Sequence, residues 1–324
     1  MSMTRFLLKR LLQAIGVLLA ISLIAFLLRD ALPGADADGS GAAWRRYPQF
    51  LGQLLRLDFG TSSFFHRPAL EVVLGYLPAT LELVFAGGLL TALFAVPLGI
   101  YSAIKPHAAG ARLILRLAAL GVSLPVFLTA ILLIQVFSLG LSSAASGDSA
   151  GWLASLGGMP AYGRGNPVAL WGGWATNFAS WQGLTYLALP ALSLAVGMLP
   201  LFVRLIHTEM RRVLASDYIR FARARGLSPW RIYARHALKN ALLPVVTLGG
   251  IQLGSLMAYT LLVESVFQWP GVGLMFLDAV ERGDRPLIVT YLLVAGVLFL
   301  LINTLVDLCC RLLDPRVVAP GGMQ

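Results

Sequence analysis

Residues 77–104 read LPATLELVFAGGLLTALFAVPLGIYSAI. The stretch exceeds the about 20 apolar residues that cross ~30 Å of hydrocarbon as a helix. Glu82 is its only charged side chain. A charge at mid-span costs roughly 2.5–3.5 kcal/mol on insertion scales, so that scarcity is what spanning requires. Within hydrocarbon the backbone has no water to bond, so the stretch must be helical. Five further segments share this character: Leu11–Leu28, Leu117–Leu141, Gly183–Val203, Ala241–Val263 and Leu287–Val306. The composition agrees, because 58% of residues are hydrophobic and 12% are charged, whereas a soluble domain carries about 25% charged residues. The sequence therefore predicts an all-α polytopic membrane bundle of six transmembrane helices.

The net charge is +10. In a soluble chain that excess would suggest nucleic acid, but here the cations sit between apolar runs, where they orient the chain in the membrane. With the N-terminus in the cytoplasm, seventeen Lys and Arg fall on inner segments and eight on outer ones, nine of the former between Arg204 and Lys239. Both termini are then cytoplasmic. Arg5, Lys9 and Arg10 precede the first apolar run, and Ala35-Asp36-Ala37 resembles a signal-peptidase site. The run Leu11–Leu28 is longer than the about 7–15 residues of a signal-peptide core, so a retained helix is expected. Cys309 and Cys310 are adjacent, point about 100° apart on a helix and read as small apolar side chains. Residues 29–76 read as a polar outer loop with Pro33, Pro48 and Pro68. Residues 142–182 are Gly-rich and carry Trp152, Trp171, Trp174 and Trp181, side chains suited to the membrane–water boundary.

The longest inner segment, residues 204–240, reads as two amphipathic helices joined by a turn. Ser216 or Asp217 is placed to cap the first. Tyr218, Phe221 and Ala222 recur at helical spacing and predict its apolar face. Gly226 suits the left-handed residue that ends a helix, and Ser228-Pro229 reads as a cap followed by Pro at the first helical position. Trp230, Tyr233, Ala234, Ala237 and Leu238 predict the second apolar face, with Arg231, Arg235 and Lys239 as a charged stripe. Composition by itself equally describes a basic loop held by anionic headgroups.

The order of residues separates these readings. Asp217-Tyr218-Ile219-Arg220-Phe221-Ala222-Arg223-Ala224-Arg225-Gly226-Leu227-Ser228, continuing to Arg235-His236-Ala237-Leu238-Lys239-Asn240-Ala241-Leu242-Leu243-Pro244, resembles the signature loop of binding-protein-dependent ABC importer permeases. The likeness is to the dipeptide/oligopeptide branch and its B-type subunit. It extends through Arg10-Leu11-Leu12-Gln13, Asp58-Phe59-Gly60-Thr61-Ser62, Leu77-Pro78-Ala79-Thr80-Leu81-Glu82-Leu83 and Ser123-Leu124-Pro125-Val126-Phe127. It continues through Met159-Pro160-Ala161-Tyr162-Gly163-Arg164, Glu264-Ser265-Val266-Phe267-Gln268-Trp269-Pro270-Gly271-Val272-Gly273, Asn303-Thr304-Leu305-Val306-Asp307 and Leu313-Asp314-Pro315-Arg316. Departures occur at Pro33-Gly34-Ala35-Asp36 and at Cys309-Cys310.

The resemblance implies a type I ABC importer permease fold. Residues 1–76 would form the first helix and outer loop, 77–310 the transmembrane domain containing the coupling loop 204–240, and 311–324 a cytoplasmic tail. It implies a permease for di- or oligopeptides or a related small solute in the inner (cytoplasmic) membrane of a bacterium, working by alternating access. Implied partners are a second, homologous permease subunit, two ATP-binding-cassette ATPase subunits, a periplasmic or surface solute-binding protein and the bilayer. The ATPase-coupling residues would be Asp217, Tyr218, Phe221, Ala222, Arg223, Ala224, Gly226, Leu227 and Ser228. Relatives of this type also handle nickel chelates, polyamines, glutathione-like compounds or antimicrobial peptides.

The chain itself reads as non-catalytic. Its only lysines, Lys9, Lys105 and Lys239, are followed by Arg10, Pro106 and Asn240, so no Gly-Lys-Ser/Thr phosphate loop exists. The resemblance puts ATP and Mg on the partner ATPase, with no cofactor, metal or nucleic acid on this chain. There is no Gly-x-Ser-x-Gly elbow, and His207 and Glu209 lie on different helix faces. Glu82, Gln135, Gln252 and Glu264 are candidate lining of a translocation pathway. Helix–helix hydrogen bonding is the competing reading for Glu82 and the two amides, and Glu264 is expected at the outer boundary in a structural or gating role. Gly250 and Gly254 form a Gly-x-x-x-Gly suited to close packing, including against a sister permease. A stand-alone secondary transporter would predict several deep charged pairs or inverted repeats, and neither is evident.

Overall fold

The computed structural model describes residues 3–31, 43–139, 158–170 and 174–313. The signal-peptidase-like stretch, Pro33, Trp152, Trp171 and residues 314–324 lie outside them, as do the side chains of Cys309 and Cys310.

The chain folds as α1 Met3–Ala31, α2 Ala43–Leu55, α3 Ala69–Ile104, α4 Ala109–Gly121, α5 Val126–Phe137 and α6 Trp181–Leu214. There follow α7 Asp217–Ala224, α8 Pro229–Arg231, a π-helical turn Ile232–Ala237, α9 Leu238–Phe267, α10 Val272–Arg282 and α11 Arg285–Leu313. Five stretches are long and apolar enough to cross a membrane, and α4 with α5, bent by 115°, makes a sixth. The third apolar segment is therefore a broken span rather than a straight one. The break follows from Pro125, which disfavours helical geometry in the residue before it.

Residues 29–76 are not only loop. They contain the amphipathic α2, whose Phe50 packs on Phe26 of α1 with ring centroids 5.6 Å apart, and α3 already begins at Ala69 and runs through residue 77. A two-residue antiparallel pair, Val168–Ala169 (β1) with Ala175–Thr176 (β2), is the only named sheet among the described residues.

Helices α3 and α6 form the centre of the bundle. Their approach is close because glycines face bulky residues: a Cβ at Gly87 would lie 2.8 Å from Leu194 Cβ, and one at Gly99 2.7 Å from Ile206 Cβ. In lipid, where apolar burial drives little helix association, such close packing holds helices together. Gly250 and Gly254 pack on Val306 and Phe299 of α11, so this Gly-x-x-x-Gly serves close packing within the chain. Helix α1 lies along α11, and Arg10 and Asp307 form an ion pair between them. Leu89, Leu93, Leu117, Leu120 and Ile251 face outward, the arrangement hydrocarbon favours and water does not.

Candidate functional site

The elbow between α6 and α9 is built by local rules. Helix α6 ends at Ala215, whose N–H donates to Arg211 O and Val213 O. Helix α7 ends in two hydrogen bonds: Gly226 N–H donates to Arg223 O at 2.9 Å and Leu227 N–H to Ala222 O at 3.3 Å. This is the Schellman pattern, which needs a left-handed residue at its second-last position, and Gly226 has φ +76°. Ser228 is extended, Pro229 occupies the first helical position, and helix resumes. Glycine and proline thus act as expected.

The capping and the faces differ from expectation. Neither Ser216 nor Ser228 makes a side-chain cap. The Ser216 hydroxyl instead donates to Val213 O at 2.5 Å, a back-bond open to serine near a helix end. Ile219 and Ala222 are the buried side chains of α7, packed with Met210, Val213, Ile232, Ala237 and Ala241. Tyr218 and Phe221 are 42% and 62% exposed. Of the expected face Ala222 is therefore buried, and Ile219 accompanies it in place of Tyr218 and Phe221. On the following segment Ile232 and Ala237 are buried, with Trp230 78% exposed. Their spacing matches one π-helical turn, which shifts the face by a residue relative to an α-helix. That turn runs directly into α9, so the second elbow helix and the fifth span are one continuous stretch, Pro229–Phe267. Tyr218 ties α7 to it: its hydroxyl donates to His236 O at 3.3 Å and accepts from Asn240 Nδ2 at 2.8 Å. Asp217, Arg223, Ala224 and Ser228 are exposed and Leu227 is half-buried. The stripe Arg231, Arg235 and Lys239 is exposed throughout.

At the opposite end of the bundle two intramembrane carboxylates are enclosed by donors. Glu82 accepts from Arg164 Nη2 at 2.6 Å, from Thr176 Oγ1 at 2.7 Å and from the N–H groups of Asn177 and Phe178 at 2.5 and 3.3 Å. Arg164 also donates to Ala175 O at 2.6 Å and stacks over Trp269, its Cζ 5.6 Å from the ring centroid. Trp269 Nε1 donates to Ala79 O at 3.0 Å. Glu264 accepts from Thr80 Oγ1 at 2.6 Å and from Gly273 and Leu274 N–H at 2.7 and 3.0 Å. It therefore caps the N-terminus of α10 from another helix, where unpaired N–H groups and the helix dipole favour an anion. Glu264 is fully buried, close to the C-terminal end of α9 at Phe267.

Asp284 completes the set. It is buried, accepts from Ser62 Oγ at 2.6 Å and from Phe64 N–H at 3.2 Å, and caps α11 through Leu287 N–H at 3.3 Å. Sequence reasoning passed over Asp284, although an Asp ahead of Arg285-Pro286 is a helix-start signal. Arg164 and Thr80 lay inside quoted motifs but had no role there. Gln135, exposed on α5, and Gln252, half-buried on α9, are not joined to Glu82 and Glu264. Among the described residues no group of three His, Cys, Asp or Glu is placed to hold a metal ion.

Two glycines make room for Glu264. A Cβ on Gly271 would overlap its carboxylate, and one on Gly273 would lie 2.8 Å from both Glu264 Oε2 and Leu261 Cα. Overpacking of this kind costs about 1–3 kcal/mol. Gly273→Ala is therefore expected to lower the unfolding midpoint of the detergent-purified chain by several degrees. An unchanged midpoint would show that α10 shifts freely away from α9.

The comparisons agree with this architecture. The family described as "Binding-protein-dependent transport system inner membrane component" matches residues 95–319. A dipeptide transport system permease protein of Alkalihalophilus pseudofirmus is 31% identical, over 97% of this chain and 99% of its own length. A glutathione transport system permease protein of Salmonella typhimurium is also 31% identical over the same shares. An oligopeptide transport system permease protein of Bacillus subtilis is 29% identical. Among solved structures, a chain of the MetNI methionine ABC transporter superposes with TM-score 0.55 at 17% identity, covering 75% of this chain and 96% of that one.

Proposed function

Because the chain belongs to the family of binding-protein-dependent transport system inner membrane components, we propose that the elbow at residues 217–240 is where an ATPase subunit drives it. The chain is a permease subunit of an ABC importer, a multi-pass inner-membrane component with the type I fold. Its cargo is a di- or oligopeptide or a related small solute, the class named for its relatives. Peptide transport is favoured over nickel or polyamines by those names, and a solute-binding protein selects the cargo.

One observation carries the coupling role. Phe221 and Trp230 stand 62% and 78% exposed on a backbone held by the Schellman turn and the Tyr218 clasp. Large aromatics presented on a rigid elbow are the anchors a protein groove takes up. The elbow end is then cytoplasmic, as the excess of Lys and Arg there requires, and both termini are cytoplasmic. ATP and Mg are bound by the two ATPase subunits and not by this chain. Closure of the ATPase pair displaces α7, and the continuous stretch Pro229–Phe267 conveys that displacement across the membrane as a rigid-body, two-state change. A second, homologous permease completes the pathway.

The test is assembly and transport. The permease pair is reconstituted with its ATPases and binding protein, and peptide uptake is followed with and without ATP. ATP-dependent uptake is expected, with Phe221→Ser and Trp230→Ser together weakening ATPase co-purification at least tenfold, the scale of a lost interface anchor. Full uptake by this chain without nucleotide would refute the reading.

A further inference from the structure

Two apolar spans meet the surface opposite the elbow on arginines: the first ends at Arg29 and the last begins at Arg285. That is the level at which hydrocarbon gives way to lipid phosphates. Both side chains line one cavity of about 510 Å³, together with Gln53, Asp58 and Ser63. Among the described residues the cavity thus carries two cations and one anion. Asp58 Oδ1 accepts Gly60 N–H at 3.1 Å, which orients the carboxylate. Guanidinium groups pair with phosphate oxygens through parallel N–H bonds, and a carboxylate accepts from a primary ammonium.

The rim is apolar. Leu55 at the end of α2 is 87% exposed and Leu57 is 66% exposed. Leu57 has φ +57°, a left-handed conformation that costs a Cβ residue stability and that glycine usually fills where it occurs at a helix end. A leucine held there, side chain outward, places apolar surface beside the charged cavity. Leu55 ends the amphipathic α2, a pattern suited to a helix lying in the membrane interface.

We propose that this cavity binds the headgroup of an ethanolamine phospholipid, its phosphate on Arg29 and Arg285 and its ammonium on Asp58. Charge of both signs favours a zwitterion. A soluble zwitterion such as a peptide shares that chemistry, but the ends of two spans and the exposed leucines favour a lipid. The proposal does not depend on which face is cytoplasmic.

Native mass spectrometry of the delipidated full chain, titrated with phosphatidylethanolamine, phosphatidylcholine and phosphatidylglycerol of matched tails, tests it. Tightest retention of the ethanolamine lipid is expected. Arg29→Gln should weaken that binding about tenfold or more, as loss of a charge-assisted bond does. Asp58→Asn should erase the preference over phosphatidylcholine, whose trimethylammonium donates no hydrogen bond. The Asp58→Asn ratio decides the matter even where Arg29→Gln lowers the yield of folded chain. Unchanged affinity and preference in both variants would overturn the site. So would displacement of the lipid by stoichiometric glycerophosphoethanolamine or dialanine, which would make the cavity a site for a soluble solute.

Discussion

Gly226→Val should abolish ATP-driven uptake while leaving the chain folded in the membrane. Gly226 sits at φ +76°, and no atom lies within 4 Å of where its Cβ would go. Space is therefore available and only the backbone objects. A left-handed conformation costs an ordinary residue about 1–2 kcal/mol, and a β-branched residue is an outlier there. To escape, the turn must leave φ > 0, which breaks the bonds from Gly226 to Arg223 and from Leu227 to Ala222. The exposed Phe221 then loses its fixed position relative to Trp230, while Ile219 and Ala222 still anchor α7 on the bundle. Asn tolerates the conformation best after glycine, so uptake rates at matched protein levels should rank Gly, Asn, Ala, Val. Initial rates in proteoliposomes check this. Normal uptake with Val, or less uptake with Asn than with Val, would show that the turn does not couple.

The second large effect is expected at the buried pair of Glu82 and Arg164, whose side chains are 5% and 12% exposed. Removing one partner of a buried ion pair costs about 3–5 kcal/mol, because the other charge is left uncompensated. The two removals are not equal. Glu82→Leu strands Arg164 and also the N–H of Asn177, so it should fall at the upper end of that range. Arg164→Met leaves the carboxylate with Thr176, Asn177 and Phe178 as donors, and should cost less. The double variant should recover part of the loss. Thermal unfolding of the four purified proteins gives the cycle, and additive losses would mean that the pair is not coupled. Such a pair pins Arg164 and, with it, Thr176, Asn177 and Phe178 to α3, so its loss should also loosen the end of the bundle opposite the elbow.

Much of the molecule was legible before any coordinates. Apolar length and the scarcity of charge specify spanning helices without knowledge of what packs where. Gly226 and Pro229 punctuate the elbow through φ and a missing N–H, which are properties of single residues. The ordered motifs around residues 217–244 placed the chain in its family, and the matches to permeases agree. Side-chain roles were less legible. Tyr218, Phe221 and Ala222 look like an inward face on a helical wheel; Ala222 does face inward, but Ile219 is buried beside it in place of Tyr218 and Phe221. The donors to Glu82 and the Thr80 donor to Glu264 lie 82 to 184 residues away, whereas Gly273 and Leu274 reach Glu264 from within ten residues.

What the sequence determined by itself was the set of spans, the turn chemistry of the elbow and the family, because hydrocarbon length, backbone permissiveness and residue order are local and one-dimensional. Only the tertiary structure decided the broken third span's 115° bend, the π turn that fuses the elbow to α9, and the donors that enclose each buried carboxylate. Those outcomes depend on which distant groups meet. A buried charge is satisfied by whatever the fold delivers to it, and that delivery leaves no fixed spacing in the chain.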